Sequence, residues 1–222
     1  MSVLSDFGPV YTETDLSRFP VEPWNTYSNI CFLVLIVYWY FKLRGSFYRH
    51  PLMGVALPIL SVGFIGGTVF HATRSHFIWL ALDFMPIIIL ALLAALFFWK
   101  QVLRSSVAAV LVVLLVFLVS RLLLSGLQLP HALRISLGYS SMAILILVPA
   151  TIVTIKAQFP DWHSLIGTII SFAIAITFRW ADGTWVGMSL PMGTHFLWHI
   201  FGAYSVHRLI SLMVGVGAGE EI

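Results

Sequence analysis

Seven apolar runs dominate this sequence, at roughly 27–43, 52–74, 77–98, 106–125, 132–155, 164–180 and 194–214. A helix needs about 17–25 predominantly apolar residues to cross the hydrocarbon core of a bilayer, and every run reaches that length. The expectation is an all-α, polytopic membrane protein, a seven-transmembrane helix bundle. It forms one domain over residues 1–222, with a polar N-terminal segment at 1–25. Composition agrees: 59% of the residues are hydrophobic and only 9% are charged, where soluble domains carry about a quarter. The least secure division is at "TRSH", residues 73–76, because a continuous helix there would leave six spans.

The charges speak to topology rather than to partners. No basic run suggests nucleic acid. Lys42, Arg44 and Arg49 follow the first span, Lys100 and Arg104 the third, and Lys156 the fifth, with Arg208 near the last exit. Asp6, Glu13, Asp15 and Glu22, against Arg18, precede the first span. Lys and Arg concentrate on the cytoplasmic side, so the N-terminus is expected outside and the C-terminus inside. Arg74, Arg121, Arg134 and Arg179, towards the outer ends, run against that trend. The N-terminal stretch has no basic region followed by an apolar one, so no cleavable signal peptide is expected. Short loops and small size point to a bacterial cytoplasmic membrane. Cys31 is the single cysteine, which rules out an intrachain disulfide or a thiolate metal site.

Ionisable residues inside membrane spans are rare and face the bundle interior. His71 ends the second span, Asp83 opens the third, and His195 and His199 open the seventh. With seven alternating spans, these positions fall in one leaflet, and Glu22 and Asp182 open on the same side. His195 and His199 are separated by four residues, so they share one helix face a turn apart. Two imidazoles so placed suit one metal ion, and His71 supplies a third. Three histidines with an open position form a common catalytic zinc arrangement. Asp83 is then a general base or a group that orients a histidine.

Other readings stand beside this one. Membrane histidines often serve as hydrogen-bonding glue between helices. His71 and one residue of the seventh-span pair suit axial haem ligation, and Asp83 suits a proton relay. His76 is a rival ligand, whereas His50, His131, His163 and His207 read as interfacial. Trp24, Trp162, Trp180 and Trp185 flank spans as an aromatic belt would. The seventh span has no lysine, which argues against a retinal Schiff base.

Three stretches, "EPWNTYSN" at 22–29, "GGTVFHATRSHFIWLALDFMP" at 66–86 and "THFLWHIFGAY" at 194–204, together resemble the alkaline ceramidase family. That family belongs to a superfamily of seven-span membrane hydrolases that also holds adiponectin-receptor-like and GPI-remodelling proteins. The resemblance implies a zinc-dependent amidase that cleaves the N-acyl bond of ceramide, with a membrane lipid as substrate. It implies His71, His195 and His199 as zinc ligands, Asp83 as the family aspartate, and Glu22, Trp24 and Asn25 as the family's Glu-x-Trp-Asn motif. In ceramidases that glutamate helps bind calcium, so Glu22 is a candidate calcium ligand. Against this, the family's acidic calcium segment has no counterpart here, and Glu13, Asp15, Glu22 and Asn25 follow no calcium-binding spacing. Where the family has a serine four residues before the first histidine, this chain has Gly67. Thr68 is the neighbouring hydroxyl, about 100° further round the helix, and is the expected oxyanion donor. The stretch from His71 to Asp83 is one residue longer than in the family, and Asp182 in "FRWADG" has a weak family counterpart with a structural reading. The alternatives are a phospholipid ester hydrolase of the same superfamily and a non-enzymatic haem or proton-conducting membrane protein.

Overall fold

The computed structural model describes residues 8–156, 158 and 161–218, which leaves Asp6 outside the described part. The helices are α1 (Pro23–Ser28), α2 (Ile30–Leu43), α3 (Pro51–Thr73), α4 (Phe77–Leu103), α5 (Ser106–Gly126), α6 (His131–Lys156), α7 (Trp162–Ala181), the short α8 (Trp185–Met188) and α9 (His195–Ala218). There are no strands among the described residues. Seven stretches are long and apolar enough to cross a membrane, with α1 and α2 acting as one span over Pro23–Leu43. The protein is therefore a seven-helix, all-α integral membrane protein.

Local chemistry sets the ends of these helices. The first span begins at Pro23, earlier than the expected residue 27. Proline is tolerated at the first helical position because its missing N–H has no partner there anyway. The next two N–H groups, of Trp24 and Asn25, donate to the Glu13 carboxylate at 3.0 and 2.6 Å. The third span runs on to Leu103, past the expected residue 98. Its added turn is held by Trp99, whose indole N–H donates to Leu145 O at 3.1 Å. The division at "TRSH" is real: Arg74 takes a left-handed conformation (φ 49°) that ends α3, and His76 accepts from Ile78 N–H at 3.1 Å to start α4.

Six of the seven spans close a ring. α2 packs on α3, α3 on α4, α4 on α6, α6 on α7, α7 on α9, and α9 back on α2, while α5 lies outside against α4 and α6. Val107, Leu111 and Leu115 of α5 are exposed, as side chains facing lipid would be. One half of the ring is filled by Trp39, Leu57, Phe98, Leu145, Ala150 and Leu212. α3 and α4 approach closely because Gly66 and Gly67 face Leu82 and Asp83, where a side chain would collide. Small residues permit the same close packing at other membrane helix interfaces, and here they carry Asp83 to the end of α3 that bears His71.

Candidate metal centre

His71 on α3 and His195 and His199 on α9 meet at the N-terminal end of the bundle. One ligand nitrogen from each lies within 4.8 Å of the other two. The ring centroids are 5.0 Å apart for His71–His199, 5.5 Å for His71–His195 and 4.8 Å for His195–His199. All three side chains are buried. Buried imidazoles normally satisfy both nitrogens, yet His71 Nε2 and His195 Nδ1 are buried with no hydrogen-bond partner among the described residues.

The partners of the other nitrogens set the tautomers. His71 Nδ1 is 2.5 Å from Glu22 Oε2. A carboxylate only accepts, so Nδ1 carries the proton and Nε2 is left with its lone pair. His199 Nδ1 donates to the Asn25 carbonyl at 3.1 Å and to the Ser28 hydroxyl at 2.7 Å, and that hydroxyl donates in turn to Asn25 O at 3.1 Å. His199 Nε2 is thereby also freed as a donor of electrons. Histidines that bind metal are oriented in this way, with the second ring nitrogen giving its proton to a carboxylate or carbonyl. His195 is placed differently. Asp182 Oδ1 accepts from the N–H groups of Thr194 (2.6 Å) and His195 (3.0 Å), pinning the start of α9. Asp182 also holds the N-terminal segment, accepting from Thr12 N–H at 3.0 Å through Oδ2. Its role is structural, as the sequence suggested.

Glu22 is the hub of this end. Besides His71 it receives Arg74 Nη1 at 2.5 Å and the Thr14 hydroxyl at 2.6 Å on Oε1, and Asn25 Nδ2 at 3.3 Å on Oε2. Burial alone would push its carboxyl up, but the hydrogen bond from His71, the Arg74 charge and the Thr14 hydroxyl outweigh it and hold the group below its ordinary value. Glu22 thus remains ionised and spends both oxygens on protein donors, His71 among them. Glu13 is likewise engaged, as the cap of α1.

Asp83 lies against Gly67, where an added Cβ would come within 2.5 Å of Asp83 Oδ1. Gly67 is therefore the space in which the carboxylate sits. Asp83 accepts no hydrogen bond from a described residue, and it lines the same cavity as His195 and His199. Thr68 is a correction. Its hydroxyl donates to Phe64 O within its own helix at 2.7 Å, and it is not among the residues that line the cavity. The 100° turn that separates it from Gly67 points it away from Asp83. His76 is exposed and spent on capping α4, so it is no ligand. His207 lies inside α9 and packs its ring on Tyr38 and Trp39.

Sequence reasoning missed Tyr11 and Arg179. Tyr11 stacks on His195 with ring centroids 3.9 Å apart. Burial, partly opposed by Arg179, pushes its phenol up, so it stays a proton donor at neutral pH. Arg179 sits over the Tyr139 and Trp198 rings at 5.1 and 5.4 Å. Arg179 stood out only as a charge against the topology trend, although a cation inside the sixth span was itself a signal, and Tyr11 lay in a polar tail with no periodicity.

His195 and His199 of the cluster line a cavity of about 1220 Å³ whose lining is mostly apolar and extends as far as Leu52, Met53 and Met213. A second arm runs out between α5 and α6, past Arg121, Leu122 and Ile135. No family model matches the chain, and no curated protein matches it as a relative.

Proposed function

We propose that the protein is a zinc-dependent hydrolase that cleaves the N-acyl bond of ceramide or a related membrane lipid, releasing a sphingoid base and a fatty acid. The observation that carries this reading is the meeting of three buried, mutually close imidazoles beside a large apolar cavity within the bilayer. The donor set fits the metal: three neutral nitrogens suit zinc and leave a position open. Two buried nitrogens without partners among the described residues, and a carboxylate and a carbonyl that fix the tautomers of His71 and His199, support the same ion. Haem is disfavoured, because its two axial imidazoles must stand on opposite faces of a flat macrocycle. Three rings in mutual contact leave no slot for one.

His71, His195 and His199 would hold a zinc ion, which would supply Lewis acidity towards an acyl carbonyl and water near neutral pH. Asp83, which lines the cavity and accepts no hydrogen bond from a described residue, would take a proton from the attacking water and return it to the leaving amine. The oxyanion role anticipated for Thr68 passes to Tyr11 and Arg179, which line the cavity beside the cluster. Donors of this kind are worth about 3 kcal/mol each when well aimed. The acyl chains occupy the apolar arms, so the lipid reaches the site without leaving the bilayer. On the distribution of Lys and Arg the cluster lies on the outer side, with the N-terminus.

Elemental analysis of the detergent-purified chain should find about one zinc per protein, with turnover of an N-acyl lipid that stops on chelation and returns with zinc. His199→Ala should lose metal and turnover together. Undiminished hydrolysis in that variant, or in metal-free protein, would refute the mechanism. Turnover of an ester lipid with none of the N-acyl lipid would overturn the amide assignment and leave the metal centre standing.

A further inference from the structure

The cavity carries cations that the chemistry above does not use. Arg121 and Arg134 line it together with His131, whereas Asp83 is its one carboxylate among the described residues. Arg121 belongs to α5, inside a membrane-spanning helix, where a cation is costly unless something compensates it. No described residue accepts a hydrogen bond from Arg121 or pairs with it as a carboxylate. Arg134 gives one bond, to Leu129 O at 3.2 Å, which leaves most of its donors unused. A guanidinium carries five donors in a planar fork that matches phosphate oxygens.

Arg121 is not simply reaching for the membrane surface. A Cβ at Gly138 would lie 2.9 Å from Arg121 Nη1, so the guanidinium rests in a notch on α6 that only glycine leaves open. Gly138 is seven residues into α6, about 10 Å below its start at 1.5 Å per residue. A snorkelling arginine would extend the other way, towards the headgroups. Tyr139, beside Gly138, packs on Trp198 with ring centroids 5.0 Å apart and under Arg179, so the notch leads directly to the histidine cluster.

We propose that Arg121, with Arg134 and His131, forms a subsite for the phosphate of an acyl lipid, seated between α5 and α6 while the acyl chains fill the cavity. This rests on the reading of the cavity as a lipid site and shifts its occupant from ceramide, which has no phosphate, to a related lipid that bears one. The shared chemistry is a phosphate oxygen on a guanidinium fork, which a free phosphate ion also offers, and the test separates the two.

Native mass spectrometry of the full detergent-purified chain, offered phosphatidic acid and a diacylglycerol with the same acyl chains, reads the preference directly. Phosphatidic acid should be retained about tenfold more strongly, the equivalent of about 1.4 kcal/mol. Arg121→Gln should abolish that preference while retention of the diacylglycerol and zinc content stay as in the wild type. Gly138→Ala, which fills the notch, should do the same if Arg121→Gln proves unstable, and Arg121→Lys should restore part of the preference. Equal retention of the two lipids by the wild type, or an unchanged preference in both Arg121→Gln and Arg134→Gln, would overturn the subsite. Retention of inorganic phosphate in the same Arg121-dependent way would overturn the lipid as ligand. The readout is independent of turnover. A phosphate preference in a protein without zinc would therefore count against the hydrolase and not against the subsite.

Discussion

The two halves of this bundle are held by different forces. In the half around Trp39, Leu57, Phe98 and Leu145, apolar side chains fill the space between helices. At the opposite end, Glu22, Asn25, His71, Arg74, Asp182, His195 and His199 are all buried, and nearly every contact is a directed hydrogen bond. The apolar half has many acceptable solutions, since side chains of similar volume repack at small cost. The polar end has few, because a buried charge that loses its partner carries its full desolvation cost. Rigidity at one end is thus obtained by shape and at the other by pairing, and only the second can aim imidazole nitrogens at a point.

Volume-conserving swaps at the two ends should break the symmetry most sharply. Glu22→Gln removes the carboxylate charge that pairs with the buried Arg74 and leaves one acceptor oxygen where two served Arg74 and His71. The expected destabilisation is about 3–5 kcal/mol, with loss of bound metal. Leu145→Met in the apolar half should cost less than about 1.5 kcal/mol and leave metal content alone. Thermal unfolding in detergent, with metal analysis of each variant, compares them. Equal losses would show that pairing and packing contribute alike.

Glycines on a single helix sharpen the contrast. Gly67→Ala would place a Cβ within 2.5 Å of Asp83 Oδ1, and overpacking of this kind costs about 1–3 kcal/mol. Turnover should fall while zinc is retained, since no ligand is touched. Gly54, on the same α3, has nothing within 4 Å of its Cβ position. Gly54→Ala should therefore gain about 0.5–1 kcal/mol from helix propensity. A neutral Gly67→Ala in both assays would remove Asp83 from the place assigned to it.

A further comparison lies at the start of α9. Asp182→Ala deletes the acceptor of Thr194 and His195 N–H, and losing such a cap costs about 1–2 kcal/mol. His195 then loses its fixed origin, and zinc affinity should fall about 10–100-fold, as it does when outer supports of a metal ligand are removed. A competition titration against a chelator measures this, and unaltered affinity would mean that helix packing alone positions His195.

How much of this was legible beforehand follows from what each residue depends on. The seven spans, their alternation and the shared leaflet of His71, Asp83, His195 and His199 are one-dimensional properties. Length and hydropathy carry them, and they needed only small adjustment at Pro23 and Leu103. Glu22 is ambiguous in sequence, because a carboxylate before a helix looks the same whether it awaits a cation or a histidine. Its partners, His71 and Arg74, lie some fifty residues on. Thr68 was misassigned because helical angle says which face a residue takes but not which neighbour that face meets.

Sequence alone determined that the chain must cross a bilayer seven times and that three histidines and an aspartate share one depth, because hydrocarbon tolerates few polar groups and alternation allows no choice of side. Tertiary structure decided the rest: which nitrogen of each imidazole is free, that Gly67 is the seat of Asp83, and that Arg121 lies in a notch at Gly138. Those outcomes depend on distances between helices, and helix packing sets such distances where periodicity along one chain cannot.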